Sequence, residues 1–232
     1  MIVHGGPEPK VVIYGNGAMA RVLCSYAQRT MNIAGFTVDD ACINGNDGRF
    51  LGLPLVPFSR LRDIFDPACH QLIIAVGFLE MNELRNRKYL EVKEMGYTFA
   101  SYVHDSVMIH DDLIIEENCI ILDHVSIHPG SRIGHGTFIS SNVNIGHDCD
   151  IGPLNWINSG VSIAGGCHAG SGCFFGVNSS TGHGLRIGSH NFIAANTFIN
   201  KNTNDDEVYL SEAGQRFPMS SHSFLTFARI TA

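Results

Sequence analysis

The sequence predicts an α/β domain followed by an all-β domain, a parallel β-helix. Two patterns carry this prediction: a Gly-rich turn between a buried strand and a helix near the N-terminus, and a six-residue apolar period in the second half. The charges divide the chain at the same place. Residues 1–102 carry 10 basic and 10 acidic side chains, whereas residues 103–232 carry 5 and 12. We therefore expect two differently built halves.

The composition excludes several classes of protein. Of the 232 residues, 44% are apolar and 16% are charged, which is typical of a folded chain rather than a disordered one. The net charge of −7 argues against a general nucleic-acid binder, and no apolar run reaches the length of a membrane helix. Residues 1–7 lack the profile of a secretory signal, and the seven cysteines include no CxxC pair. We therefore expect a reducing, cytoplasmic location, with no nucleic-acid partner and no membrane insertion.

A Gly-rich turn follows the first predicted strand. Residues 10–14 are predicted to form a buried strand, and the turn GNGAMA at residues 15–20 leads into a helix that extends to about residue 29. A G-x-G-x-x-A turn of this kind lets backbone N–H groups and a helix N-terminus meet a phosphate. We therefore assign Gly15, Gly17, Ala18 and Met19 to a candidate substrate-binding site.

Two further strands end in residues suited to the same ligand. The strand predicted at residues 33–38 leads to Asp39 and Asp40, where an acidic side chain can meet a ribose or a base. A third strand at residues 71–76 ends at Gly77, and a helix is predicted over residues 81–95. Residues 42–50, rich in Gly and Asn, are predicted to form a loop. Since parallel strands bind ligands at their carboxyl ends, Asp39, Asp40 and Gly77 join the candidate substrate site of a small, open, three-stranded parallel sheet.

A six-residue apolar period dominates the second half. It fills 17 consecutive positions without an insertion, and 14 of them are Val or Ile. The positions are Val103, Ile109, Ile115, Ile121, Ile127, Ile133, Ile139, Ile145, Ile151, Ile157, Ile163, Ala169, Phe175, Thr181, Ile187, Ile193 and Ile199. A period of six fits neither a helix nor a single strand, but it fits a short strand plus a corner, three of which close an 18-residue triangular coil. Residues 103–204 are therefore predicted to form a parallel β-helix with these side chains inside, and residues 205–232 a C-terminal extension.

The second inward position of each repeat lies four residues after the first. It holds four of the seven cysteines, namely Cys119, Cys149, Cys167 and Cys173. A small thiol suits a narrow core position, so we interpret these cysteines as buried packing residues rather than as nucleophiles or metal ligands.

The arrangement resembles the bacterial hexapeptide-repeat sugar acyltransferases, the family of sialic acid O-acetyltransferases and nucleotide-sugar N-acetyltransferases. The resemblance covers roughly residues 10–210 and rests on VIYGNG at residues 12–17, DD at 39–40, AVG at 75–77 and, above all, IGHDCDIG at 145–152. It implies a Rossmann-like nucleotide-sugar-binding domain over residues 1–102, followed by a left-handed β-helix acyltransferase domain. It also implies a homotrimer that holds acyl-CoA between neighbouring β-helices and a nucleotide-linked sugar in the N-terminal domain.

The same resemblance assigns the reacting groups. His147 is implied to be the general base, and Asp148 is the acidic neighbour that orients it. An imidazole is largely neutral at pH 7, so it can take a proton from a sugar amine as the amine attacks the thioester of acetyl-CoA. We assign Trp156, Gly165 and Gly176 to the acyl-CoA site, with Trp156 on an outward position beside the pantetheine arm or, as the alternative, anchoring a trimer interface. No metal is expected.

Three alternatives remain open from the residues alone. The acceptor group is an amine or a hydroxyl, so an O-acetyltransferase stands beside the N-acyltransferase of surface-glycan biosynthesis that we favour. The second alternative is a zinc enzyme like the β-helix carbonic anhydrases, because His147 and His183 lie 36 residues apart on one edge of the coil. The position at which those enzymes carry the third zinc ligand is Gly188 in this chain. A non-catalytic sugar-nucleotide-binding scaffold is the third, because Met19 and Trp156 stand where the family usually carries histidines.

Overall fold

The computed structural model describes residues 10–43 and 48–228. Three predictions fall wholly or partly on residues outside these ranges. They are the lack of a secretory signal in residues 1–7, the middle of the loop predicted at 42–50, and the end of the C-terminal extension. Within the described ranges, no helix is both long and apolar enough to cross a lipid bilayer.

The N-terminal part is one six-stranded sheet with helices packed on it. Its elements are β1 (Lys10–Tyr14), α1 (Ala18–Ala27), β2 (Ile33–Val38), β3 (Arg49–Phe50), β4 (Leu53–Pro57), α2 (Leu61–Ile64), β5 (His70–Ile74), α3 (Glu83–Glu94) and β6 (Thr98–Phe99). The strand order is β3-β4-β2-β1-β5-β6, and only the β3–β4 pair is antiparallel. Strand β1 is covered on both faces: Val11 and Ile13 pack with α1, whereas Val12 and Tyr14 pack with α2 and α3. Burial on both faces explains why this strand is a continuous apolar run.

The sheet is larger than the three strands predicted, and the predicted bounds shift by a few residues. Strand β4 was missed because Pro54 and Pro57 weaken a strand pattern; it pairs in parallel with β2 and antiparallel with the two-residue edge strand β3. The predicted loop at 42–50 is wrong at both ends, since a 3₁₀ turn spans Asp40–Cys42 and β3 occupies Arg49–Phe50. Helix α3 begins only at Glu83, after a 3₁₀ turn over Glu80–Asn82.

From residue 102 onward the chain winds into a triangular prism of two-residue strands. The first face contains Ser126–Ile127, Asn144–Ile145, Ser162–Ile163, Ser180–Thr181 and Phe198–Ile199. The second contains Ile114–Ile115, Arg132–Ile133, Asp150–Ile151, His168–Ala169 and Arg186–Ile187. The third contains Tyr102–Val103, Ile120–Ile121, Phe138–Ile139, Trp156–Ile157, Phe174–Phe175, Phe192–Ile193 and Val208–Tyr209. Strands one coil apart pair in parallel, so that Ile145, for example, lies beside Ile163.

The residues of the six-residue period form the core of the prism. From Ile121 to Ile199 every one of them is buried in a single apolar cluster, apart from Thr181, which is also buried. The four predicted core cysteines are buried too. Burial raises the pKa of Cys119 to about 12 and that of Cys173 to about 11, so these thiols stay protonated at neutral pH. The prediction that the cysteines serve packing is confirmed by their position.

The prediction is wrong at the start of the prism. Ile109 was expected to point inward, but 58% of its surface is exposed and residues 108–109 form no strand. The first face begins only at Ser126–Ile127, one coil later. Asp111 and Asp112 favour solvent on this stretch, and residues 108–109 do not pair with Ser126–Ile127 in the next coil.

The other end of the prism extends past residue 204. Val208–Tyr209 adds a last strand to the third face, with Phe192 N–H donating to Glu207 O at 2.9 Å and Ala194 N–H donating to Tyr209 O at 2.8 Å. Beyond it, helix α4 (Ser221–Phe227) is exposed along its whole length.

An apolar ladder on the outside of the third face holds the two parts of the chain together. Its outward residues repeat every 18 positions and are Tyr102, Ile120, Phe138, Trp156, Phe174 and Phe192. The first five belong to the same apolar cluster as β1, α1 and β2 of the N-terminal sheet, and Phe192 stacks on Phe174 with ring centroids 4.6 Å apart. The N-terminal domain therefore sits on the third face.

Polar contacts at this junction are fully buried. Arg85 donates to Gly136 O at 2.7 Å and its guanidinium lies 5.4 Å from the centre of the Trp156 ring. Asn82 donates to Leu154 O at 2.6 Å, and Ile74 N–H donates to the Asn118 side chain at 2.8 Å. Burial lowers the pKa of Arg85 to about 10, which still leaves it charged at neutral pH.

Candidate active site

The sequence motif IGHDCDIG lies across one corner of the prism. This corner, between the first and second faces, consists of the turns at residues 128–131, 146–149, 164–167 and 182–185, and we call it the His147 corner. Residues 129, 147, 165 and 183 occupy equivalent places in the four turns. The His147 side chain points out of the prism with 59% of its surface exposed, as the sequence predicted.

Asp148 orients the His147 ring. The imidazole Nδ1 lies 2.7 Å from Asp148 Oδ2, a hydrogen-bond distance. Asp148 adopts a left-handed backbone conformation with φ of 55°, which aspartate tolerates better than most residues, and its N–H donates to Pro129 O. When Nδ1–H donates to the carboxylate, the neutral ring has its lone pair on Nε2. Nε2 is then the atom able to accept a proton.

The next turn presents bare backbone to this ring. A Cβ atom at Gly165 would lie 2.6 Å from His147 Nε2, and one at Gly166 would lie 3.6 Å from His183 Cε1. With no side chain between them, the His147 and His183 rings approach to 6.0 Å between centroids, at an interplanar angle of 45°. The Gly165 N–H donates no hydrogen bond within the described part of the chain. This corner therefore gathers two imidazoles and one unpaired backbone donor.

The alternative of a zinc enzyme requires His147 and His183 to lie on one edge of the prism. Both side chains do lie at the His147 corner. Across residues 10–43 and 48–228, no group of three or more His, Cys, Asp or Glu side chains has the spacing of a metal site.

The predicted substrate residues line a cavity at the carboxyl ends of β1, β2 and β5. The cavity has a volume of about 320 Å³. Its lining includes Gly15, Gly17, Ala18, Met19, Asp39 and Gly77. Gly15 is required there, since its φ is +134° and a Cβ would lie 2.6 Å from Ala75 O. Gly17 is the N-cap of α1, so the unpaired amides of the first helical turn face the same cavity.

The two adjacent aspartates have different surroundings. Asp39 lines the cavity and pairs with Lys88 Nζ at 2.6 Å. Asp40 does not line it, because Asp40 turns away to accept hydrogen bonds from the Ser59 hydroxyl at 2.6 Å and the Ser59 N–H at 3.1 Å. Those hydrogen bonds lower the pKa of Asp40. The predicted role of Asp40 in binding substrate stays a prediction, since its side chain is directed to Ser59 rather than into the cavity.

Lys88 was not singled out by the sequence. It lies on α3 with only 9% of its side chain exposed, above the rings of Phe58 and Tyr14 at 4.6 and 5.7 Å. Burial opposes its charge, but its hydrogen bonds to Asp39 and Glu91 outweigh burial and raise the pKa of Lys88. Helix α3 contains several charged residues, so no sequence pattern distinguishes Lys88 as the partner of Asp39.

The three residues assigned to the acyl-CoA site lie at different places on the prism. Trp156 was expected beside the pantetheine arm, but it is 9% exposed, packs 4.2 Å from the Phe138 ring and lies beneath the N-terminal domain. That assignment is wrong, because the outward position is covered by a domain distant in sequence. Gly176 is buried at a different corner, between the third and first faces. Of the three assigned residues only Gly165 lies beside His147.

The two candidate sites lie apart within one chain. The cavity belongs to the N-terminal domain, which sits on the third face, whereas the His147 corner is the edge opposite that face. In a triangular prism an edge and the face opposite it are separated by the whole core.

Comparison with solved structures finds the same architecture in other proteins. A variant of perosamine N-acetyltransferase from Caulobacter crescentus, in complex with CoA and GDP-perosamine, is 22% identical, with a TM-score of 0.77 over 86% of this chain and 92% of that one. The acetyltransferase domain of PglB from Neisseria gonorrhoeae, in complex with acetyl coenzyme A, is 18% identical, with a TM-score of 0.75 over 86% and 94%. WeeI from Acinetobacter baumannii is 18% identical, with a TM-score of 0.63 over 85% and 94%. No protein-family model matches the chain.

At identities of 18–22% these likenesses establish the fold. They confirm the architecture that the sequence resemblance implied, including the hand of the coil. This chain has the fold of the hexapeptide-repeat sugar acetyltransferases, a Rossmann-like domain followed by a left-handed parallel β-helix.

Proposed function

We propose that the protein transfers an acetyl group from acetyl-CoA to the amine of an amino-deoxy sugar nucleotide. The observation that carries this proposal is the His147 corner, where an exposed imidazole is oriented by a carboxylate at 2.7 Å and its Nε2 lies against the bare turn at Gly165. Neighbours of the same fold bind CoA or acetyl-CoA, and one of them also binds GDP-perosamine.

The reaction needs only the groups at this corner. The sugar amine attacks the thioester carbonyl carbon, a C–N bond forms, and His147 Nε2 takes the proton that the amine loses. Asp148 stabilises the imidazolium that results. The Gly165 N–H is a donor for the carbonyl oxygen as it gains negative charge. When the C–S bond breaks, the leaving thiolate takes the proton back from His147, and no covalent enzyme intermediate is required.

The cavity of the N-terminal domain suits the nucleotide part of the acceptor. The N-terminus of α1 and the turn at Gly15 offer backbone N–H groups to a diphosphate. Asp39 offers a carboxylate to a ribose or a base, and Lys88 holds it in place. An amine acceptor is favoured over a hydroxyl because a neighbour that combines CoA with a sugar nucleotide is an N-acetyltransferase.

The distance between the cavity and the His147 corner supports a homotrimer. A nucleotide sugar held on the third-face side of one chain faces away from that chain's own His147. A second copy packed beside the first, as threefold symmetry arranges, supplies a His147 corner to the same substrate. We propose that the assembly acts in the cytoplasm, within surface-glycan biosynthesis.

Asp39 and Asp40 provide a matched pair of variants for the nucleotide site. We expect Asp39→Asn to raise the KM for the sugar nucleotide by about tenfold, because a charged hydrogen-bond acceptor in the cavity is lost. Asp40→Asn removes the same charge outside the cavity and is expected to leave that KM within about twofold. Steady-state kinetics on both variants provide the measurement. Equal effects of the two substitutions would argue against the assignment of Asp39.

A substrate panel tests the proposal as a whole. Acetyl-CoA is incubated with UDP-, dTDP- and GDP-linked amino sugars, and free thiol is measured as CoA is released. We expect release with at least one amino sugar and none with the matching hydroxy sugars. Release with hydroxy sugars alone would establish the O-acetyltransferase instead. Binding of nucleotides without any release would favour the non-catalytic scaffold.

A further inference from the structure

We propose that His183 is a second catalytic imidazole, whose ring N–H donates to the carbonyl oxygen of the thioester. This inference rests on the proposed function and adds a residue to its chemistry. His183 occupies the same place in its turn as His147 does, two coils further along the prism, and its side chain is exposed.

The space between the two rings is a feature of this sequence. The intervening turn is Gly165-Gly166, and a Cβ at Gly165 would lie within 3.0 Å of three ring atoms of His147. Any side chain there would displace the imidazole and fill the gap toward His183. With glycines in both places the rings stand 6.0 Å apart between centroids. Because a ring nitrogen lies about 1 Å from its centroid, a group bound at His147 Nε2 and a group bound at a His183 ring nitrogen can lie side by side in this gap at hydrogen-bond distances.

The two imidazoles differ in their partners. His147 is committed through Nδ1 to Asp148, which leaves Nε2 as a proton acceptor. His183 makes no hydrogen bond or ion pair with its ring within the described part of the chain. A neutral imidazole without a partner has one N–H to donate, whichever tautomer it adopts. The pair therefore supplies one acceptor and one donor on either side of the Gly165 backbone.

In the proposed reaction His147 contacts the sugar amine, and His183 contacts the thioester of acetyl-CoA. The amine must lie at His147 Nε2, where its proton leaves. The thioester carbonyl then lies toward Gly165 and His183, and its oxygen receives N–H donors from both as negative charge develops. His183 keeps its proton throughout, whereas the proton from the amine passes to His147 and then to the thiolate. Trp156, which was expected beside the pantetheine arm, is buried beneath the N-terminal domain and does not reach this corner.

The kinetic test compares three variants of the full-length protein. We expect His183→Ala to lower kcat about tenfold, less than the loss typical of a buried oxyanion donor because the ring is exposed, with the KM of the sugar nucleotide unchanged. His183→Asn retains an N–H donor and should recover part of the loss. His168→Ala removes an exposed imidazole from the second face and should behave as wild type. Wild-type kcat in His183→Ala, beside an inactive His147→Ala, would overturn this inference and leave the proposed function intact.

A second measurement does not depend on turnover. Ring ¹⁵N resonances of histidine are recorded with acetyl-CoA and with CoA, which lacks the thioester carbonyl, and His183→Ala identifies the signal. We expect the His183 resonance to move with acetyl-CoA and to stay in place with CoA. Equal movement with both ligands, or none with either, would overturn the contact with the carbonyl.

Discussion

The His147→Ala variant is expected to lose turnover by about 10²-fold or more, the usual contribution of a general base. Without this imidazole, no proton acceptor lies against Gly165 at the place of Nε2, because the centroid of the His183 ring is 6.0 Å from that of His147. The substitution should leave the fold intact, because the side chain is 59% exposed and its partner Asp148 is exposed as well. Binding of acetyl-CoA should remain close to that of the wild type, since the proton transfer occurs only in the transition state.

The measurement is steady-state release of thiol together with calorimetric titration of acetyl-CoA. His168→Ala, also an exposed imidazole of the prism, is the control for a non-specific effect of removing a histidine. Unchanged kcat in the His147→Ala variant would remove this residue from the mechanism. A parallel loss of acetyl-CoA binding would instead indicate a binding role for the ring.

The second large effect concerns the core of the prism. Ile151→Ala is expected to lower the free energy of unfolding by about 2–5 kcal/mol, the range for deleting a large aliphatic side chain from a packed core. Ile151 is 0% exposed and lies in register between Ile133 and Ala169. The coils above and below are held by backbone hydrogen bonds, so they cannot collapse to fill the space.

Ile109 offers a matched control for this prediction. It belongs to the same sequence repeat as Ile151, but 58% of its surface is exposed. We expect Ile109→Ala to change the free energy of unfolding by no more than about 0.5 kcal/mol. Urea unfolding of both variants at one protein concentration measures the difference. Similar losses in the two variants would mean that residue 109 is covered in solution.

The two candidate sites differ in how far the local sequence determines them. His147 and Asp148 form a contact between neighbours in the chain, so a local motif was enough to predict their pairing. The cavity residues Gly15 and Gly77 follow strand ends, which a buried apolar run indicates. Lys88 approaches Asp39 from a helix about 50 residues away, and no local pattern marks such a contact.

The surroundings of Trp156 could not be predicted from the sequence repeat alone. The six-residue period correctly predicts that the Trp156 side chain points away from the core of the prism. Whether water, a ligand or another domain covers this side chain depends on where the N-terminal sheet packs. The signal that was available is the 18-residue repeat of Tyr102, Ile120, Phe138 and Trp156 on one face. Large apolar residues in that repeat indicate a face covered by another domain, a partner or a ligand rather than one open to water.

The sequence by itself determined the coil of the prism and the side chains inside it. A strand, a corner and a small inward residue recur at fixed spacing, and each coil bonds to the next through backbone groups that every residue carries. Only the tertiary structure decided what lies outside the prism. It placed Lys88 beside Asp39, covered Trp156 and set the nucleotide cavity away from the His147 corner. The reason is physical: stacking of coils is governed by the repeat, whereas the outer surface depends on packing between segments that share no period.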